Sequence, residues 1–395
     1  MGWKQCCVMD ERIRFVARAI EGESMSSLCR EFNISRKTGY KIFNRYKECG
    51  IEALCDRTIR PVRFGNQLPF QVEQTILALK KEKPSFGAPK IRELIIRKYP
   101  DVRPPAISTV HAILDRYGLV SRRGRRRNHA TGTPLSIPTH PNDLWCADYK
   151  GQFMLGNKSY CYPLTITDSE TRFLLACESL ESTQEKYAIT TFERVFKEYG
   201  LPLAIKTDNG VPFASPNSLF CLSRLAVWWL RLGIGIERIK PGNPQQNGRH
   251  ERMHLTLKKE ATRPAGENHL QQQAKFDDFM DEYNNERPHQ ALNMKFPSEL
   301  YTASPRRYKG IEPVEYPLHD RTVDVTSCGR ICIGKKKIHL SQVFAGHSVG
   351  LRQVEEPIWL VSFMQYDLGF FDTISSRFEP LPNPFGAKVL PMSPV

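Results

Sequence analysis

A chain of 395 residues, 40% hydrophobic and 25% charged, exceeds what a single hydrophobic core fills and calls for two to four domains. No apolar run of about 18 residues could cross a membrane, MGWKQCCVMDERIRF lacks the apolar stretch of a secretory signal, and the eleven cysteines show no disulfide spacing. The net charge of +15 is concentrated, with 27 Lys and Arg against 13 Asp and Glu in residues 1–139 and a nearly neutral remainder, the footprint of a polyanionic partner.

In chain order, residues 10–22 place Ile13, Val16, Ala17 and Ile20 at spacings of three and four, which predicts an amphipathic helix. Ser24 or Ser26 can cap a second, short helix carrying Leu28, Cys29 and Phe32, and Asn33 to Ser35 turn the chain into a third helix over 36–47. This is a helix-turn-helix layout over residues 1–60, with Arg36, Lys37, Lys41 and Arg45 on the helix that would meet DNA. A small helical bundle with a solvated basic face fits the same pattern. Predicted helices over 70–81, 89–98 and 106–117 then form a second helix-turn-helix or winged-helix domain over 61–120, offering Ser108, Thr109 and His111 to DNA. Residues 121–142 abandon apolar periodicity. With Arg122, Arg123, Arg125, Arg126 and Arg127 they read as a basic linker, lying along phosphates or simply solvated.

From residue 143 the pattern changes to strands: LWCADYKG, KSYCYPLTITD and RFLLACESL. A helix over 185–197, the strand LPLAIKT, a helix over 217–232, the strand IGIERIK, and helices over 244–260 and 271–284 follow. Three hairpin-like strands and then alternating helices and strands imply a five-stranded mixed sheet covered by helices, residues 143–304. Beyond it RTVDVTS, RICIGKKKIHL, HSVGLRQV, EPIWLVSFM and LGFFDTI predict a small β-barrel or sandwich over 305–380, with a proline-rich tail, 381–395. Cys328 and Cys332 make a CxxxC pair, but no second His or Cys pair stands near to complete a zinc site.

Three carboxylates carry the chemistry: Asp148 in WCADYKG, Asp208 in KTDNGVPF and Glu251 in NPQQNGRHERMHLTLKKE. Phosphodiester reactions need the backbone charge neutralised, and Mg2+ takes hard oxygen ligands of this kind. Asp208 closes a strand before Asn209 and Gly210, and Glu251 shares a helical face with His254 or Leu255 and with Lys258. Asp168 competes as the first acid, but it stands only 40 residues before Asp208 and is assigned a structural role. His250 and His254 are either phosphate contacts or idle exposed residues. Tyr283, Asn284, Arg287, Pro288 and His289 are expected to pack the last core helix against the sheet.

WxxDYKG, TDNGxPF, PQQNGRHERMHxTLKxE and YNNERPHQAL together resemble the DDE-type transposases of bacterial insertion sequences, relatives of retroviral integrases, over roughly residues 5–300. The resemblance implies an RNase H-like fold in which Asp148, Asp208 and Glu251 are the catalytic acids and metal ligands, at intervals of 60 and 43 residues. It also implies two Mg2+ ions, for which Mn2+ can substitute, and places Lys258 on the element's end. The activity implied is cleavage at terminal inverted repeats by water, followed by attack of the freed 3′ hydroxyl on target DNA. The partners implied are double-stranded DNA and further copies of the chain, at least a dimer, in the bacterial cytoplasm and on the nucleoid. The retroviral zinc-binding amino-terminal module has no counterpart. The alternatives are a DNA-binding regulator that has lost catalysis and an RNase H-like nuclease that cuts without joining.

Overall fold

The computed structural model describes residues 7–55, 68–120, 136–240, 244–334 and 336–386. The expected arginine contacts of the linker, Arg122 to Arg127, lie outside the described residues. The chain divides into two compact units, residues 1–70 and 71–395.

In the first unit α1 (Val8–Ile20), α2 (Met25–Glu31) and α3 (Arg36–Cys49) close on Phe15, Val16, Leu28, Cys29 and Leu54. The starts of α2 and α3 are set locally. Ser24 accepts the Ser27 N–H at 3.3 Å and Ser35 accepts that of Thr38 at 3.1 Å, satisfying donors that the first helical turn leaves free. Gly39, buried within α3, lets that helix approach the others: a Cβ there would lie 2.5 Å from the Cys29 sulfur.

The second unit opens with α4 (Phe70–Glu82), α5 (Ala88–Lys98) and α6 (Ile107–Arg116). The described residues 68–120 contain these three helices and no strand. It is fixed to the core that follows. Lys83 pairs with Glu282 and Glu286 at 3.0 and 2.6 Å, and Arg97 pairs with Glu299 while stacking on Phe296, 3.9 Å from the ring centre.

The core sheet is built from β1 (Leu144–Tyr149), β2 (Phe153–Met154), β3 (Tyr160–Asp168), β4 (Leu174–Leu180), β5 (Ala204–Thr207) and β6 (Gly235–Arg238). The two-residue β2 adds a sixth strand to the five expected. β3 pairs antiparallel with β1, β2 and β4, while β1, β5 and β6 run parallel, so the expected mixed sheet is present. One face carries Trp145, Ala147, Ile166 and Ile205 against α7 (Glu185–Tyr199) and α8 (Arg224–Arg231). On the other side Leu174 and Cys177 pack with Met253 and Leu257 of α9 (Gly248–Glu260) and Phe276 of α10 (His269–Asp281). Strict alternation along β1 sends Trp145 and Ala147 to one side and Cys146 and Asp148 to the other.

The helix expected over 217–232 is shorter. Phe220 and Cys221 sit at φ +55° and +56°, which breaks the helix, and it restarts where Ser223 accepts the Ala226 N–H at 3.1 Å.

After the core, β7 (Arg321–Asp324), β10 (Ser348–Glu355), β11 (Ile358–Phe363), β12 (Tyr366–Asp372) and β13 (Arg377–Pro380) form an antiparallel sheet in the order β13-β12-β11-β10-β7. β8 (Arg330–Ile333) and β9 (Lys336–His339) make a separate hairpin. The expected barrel is corrected to open sheets. Alternating apolar residues require one covered face, and here Val349, Leu351, Val361 and Phe371 share a core with Ala226, Val227 and Leu230 of α8. A helix supplies part of that cover.

Candidate active site

Asp148 stands next to last in β1 and Asp208 follows β5 directly. The parallel register sets Cys146 opposite Lys206, so two residues further along each strand the two aspartates come level on the same face. Glu251 rises from the first turn of α9, whose inner side is anchored by Met253 and Leu257. Glu251 itself is exposed, while Asp148 and Asp208 are half-buried.

The acids act on one another electrostatically. Asp148 is pushed up to about 7, first by burial, then by the Asp208 carboxylate, with a smaller push from Glu251. Its Oδ2 accepts from the amide of Asn247 at 3.2 Å, and Asp208 accepts from the Gly210 N–H at 3.1 Å, which leaves most carboxylate lone pairs uncommitted. Carboxylate oxygens of this kind suit a hard divalent cation, although the three acids do not stand within 4.8 Å of one another among the described residues.

Below Asp148 lies a polar network that holds α9 on β3. The Thr165 hydroxyl donates to the Asp148 carbonyl at 3.1 Å, so its oxygen is left to accept from Nε2 of both His250 and His254, each at 2.7 Å. That assigns the proton of each ring to Nε2. Nδ1 of His250 then accepts from the Thr167 hydroxyl at 2.9 Å. Nδ1 of His254 faces Oδ2 of Asp148 at 3.9 Å, and ligand atoms of Asp148, His250 and His254 lie within 4.8 Å of one another, but both nitrogens of His250 are taken by the threonines. Both histidines are buried; burial pulls His254 down to about 3 and holds His250 well below its ordinary value, so both are neutral. The expectation of phosphate contacts or idle exposed histidines is therefore corrected. An apolar residue every third or fourth position cannot tell which side of a helix is inner when histidines share the stripe.

Asp168 is a turn residue: buried, it accepts the N–H groups of Asn142 and Thr171 at 2.8 Å and the Thr171 hydroxyl at 2.7 Å. Asn209 donates to the Ile239 carbonyl at 2.9 Å and shapes the turn beyond Asp208. Asn284 bridges to Leu174 of β4 through both amide atoms, as a packing role requires.

Against known families, the integrase core domain matches residues 138–244 and again 232–297, while a helix-turn-helix domain matches 11–61 and a homeodomain-like domain 38–114. An insertion element IS407 protein of 31.7 kDa from Burkholderia multivorans is 25% identical over 229 residues, covering 57% of this chain and 78% of that protein. These matches are to integrase core domains and to insertion-element proteins, and they support the reading of the chain as a DDE-type insertion-sequence transposase. The Gag-Pro-Pol polyprotein of Mason-Pfizer monkey virus is 36% identical over 118 residues, which span 30% of this chain and 6% of that polyprotein. The solved catalytic core domain of HTLV-2 integrase, in complex with magnesium, aligns at 16% identity and a TM-score of 0.33, covering 41% of this chain and 97% of the other.

In this chain Lys37 and Lys41 are exposed one turn apart on α3, Arg45 is half-buried, and Arg36 donates to the Ser26 hydroxyl at 2.6 Å. Ser108 and His111 are exposed on α6, Thr109 is half-buried, and Lys258 is exposed near the end of α9. Residues not singled out from sequence also belong to the site. Asn247 touches Asp148, and Lys150 is lowered by burial and then by the nearby charge of Lys258, which puts two cations beside the acids. Lys150 sat inside the DYKG motif; Thr165, in contrast, carried no local signal. Tyr40, 53% exposed between Lys37 and Lys41, is an aromatic without a core role.

Proposed function

We propose that the chain binds the terminal inverted repeats of its element and catalyses divalent-metal-dependent DNA cleavage and strand transfer, with Asp148, Asp208 and Glu251 as the catalytic acids and metal ligands. The observation that supports this most is the carboxylate of Asp148, which feels both other acids from different elements. Two Mg2+ ions, with Mn2+ as a substitute, suit the oxygen donors, and when bound they supply the positive charge that a phosphodiester under attack requires. The chain's own residues do the rest. Asn247 orients Asp148, the Thr165, His250 and His254 network fixes α9 against β3, and Lys150 with Lys258 offers charge to DNA phosphates.

Recognition falls to the helical modules, residues 1–60 and 61–120, through Arg36, Lys37, Lys41 and Arg45 on α3 and Ser108, Thr109 and His111 on α6. The linker 121–142, with Arg122, Arg123, Arg125, Arg126 and Arg127, follows phosphates between them and the catalytic core, 143–304. Two element ends held together call for at least two copies of the chain.

Labelled repeat-ended duplex incubated with the purified chain and Mg2+ tests the reading. Cut and joined products are expected, with Asp208→Asn keeping repeat binding nearly intact and losing both products. Joining retained by Asp208→Asn would overturn the assignment. Cutting alone would indicate a nuclease, and binding alone a regulator.

A further inference from the structure

The core carries a second concentration of charge that the three carboxylates do not use. A cavity of about 370 Å3 lies beneath α9, walled by the β3–β4 turn and by residues 287–291, and five cations line it: Lys90, Arg172, Arg249, Arg252 and Arg287. One carboxylate shares the wall, Asp168, and its oxygens are already taken by backbone and hydroxyl donors. Arg287 is held by Glu260 and, at 3.1 Å, by Glu282, while Arg249 donates to the Ser169 carbonyl at 3.1 Å. Lys90, Arg172 and Arg252 make no ion pair among the described residues.

Such a gathering is unfavourable by itself. Lys90 is pulled down to about 8, first by burial and then by Arg287, and Arg172 is lowered by burial and then by Arg249. Half-buried like charges of this kind call for a counter-charge. Two polar atoms of the wall also lack partners: Nε of Arg287, whose residue is only 5% exposed, and Nε2 of His289. The cavity is separate from the acids. The His250 ring lines it and bonds to Thr165 and Thr167, while Asp148 is not part of its wall.

We propose that this cavity binds a phosphate group, in the first place a backbone phosphate of the DNA on which the chain acts. Planar guanidinium groups with a lysine beside them match phosphate oxygens in number and direction. Arg249 and Arg252 stand on either side of Glu251 along α9, so a strand gripped here is set in register with that residue. The choice of DNA over free phosphate rests on the proposed function; the phosphate chemistry does not.

The test compares the full chain with Lys90→Gln/Arg172→Gln, in EDTA so that no cleavage intervenes. Inorganic phosphate is expected to raise the melting temperature of the parent chain and not of the double variant. Without phosphate the variant should melt no lower than the parent, because two charges repelled by Arg287 and Arg249 have been neutralised. Its affinity for duplex DNA should fall for all sequences alike, with the salt slope shallower by about one per lost phosphate contact. Loss of phosphate protection with an unchanged DNA slope would assign the site to free phosphate. Equal phosphate response in both proteins together with equal DNA binding would overturn the proposal. Should the double variant fail to fold, Arg252→Gln at the exposed rim serves in the same assays. A parent chain that binds duplex but never cuts would sink the enzymatic reading and leave this one standing.

Discussion

Burial of Asp148, with the charges of Asp208 and Glu251 beside it, has a measurable consequence. Its folded value near 7 lies above the ordinary 3.8, so the folded state holds its proton more tightly than the unfolded chain does. The resulting stability is fully present below the unfolded value and is lost as pH rises through about 7. The metal-free chain should therefore weaken between about pH 4 and 7 by an amount on the order of 3 kcal/mol. Asp148→Asn should remove that slope and be more stable than the parent at pH 8 in EDTA. Denaturant melts at pH 5 and 8 check this, and parallel curves for the two proteins would mean that neither burial nor the neighbouring acids raise Asp148. The aspartates and the glutamate stood out in sequence because each sits in a motif. Their supports did not, since Thr165 meets His250 and His254, and Asn247 meets Asp148, across about 80 to 100 positions.

Local signals located the elements well wherever the signal lies within one turn. Ser35 and the apolar spacing after it set the start of α3, and Gly50, at φ +70°, ends it. Gly39 inside α3 answers to a different demand, the closeness of Cys29 and Phe15, whose atoms would stand 2.5 and 3.0 Å from a new Cβ. Gly39→Ala should accordingly cost about 1–3 kcal/mol through overpacking, although alanine favours helix more than glycine does. Circular dichroism melting of the full chain reads the change in the first unit; an unchanged or raised transition there would show that α1 and α2 move aside freely. α8 explains why the carboxy-terminal strands were legible and their arrangement was not. Leu225, Trp228 and Trp229 serve the core sheet while Ala226, Val227 and Leu230 serve the second sheet. A helix buried on both sides has no sequence period that names its second partner.

At the scale of the whole molecule, charge excess in the first third of the chain predicts binding that salt weakens. Lys37→Ala and Lys41→Ala should each lower affinity for repeat and non-repeat duplex alike and make the salt slope shallower by about one. Fluorescence anisotropy across a salt series measures this, and an unchanged slope would remove α3 from the DNA surface. Among the described residues no helix is long and apolar enough to cross a membrane. The sequence by itself determined the order of helices and strands, the mixed sheet and the family resemblance, because caps, apolar periods and motif residues act over a few neighbours. Only the tertiary structure decided that His250 and His254 are neutral and buried, that the last sheets stay open, and that five cations from distant segments line one cavity. Those outcomes depend on burial and on charges brought together across long stretches of chain, and no local pattern encodes either.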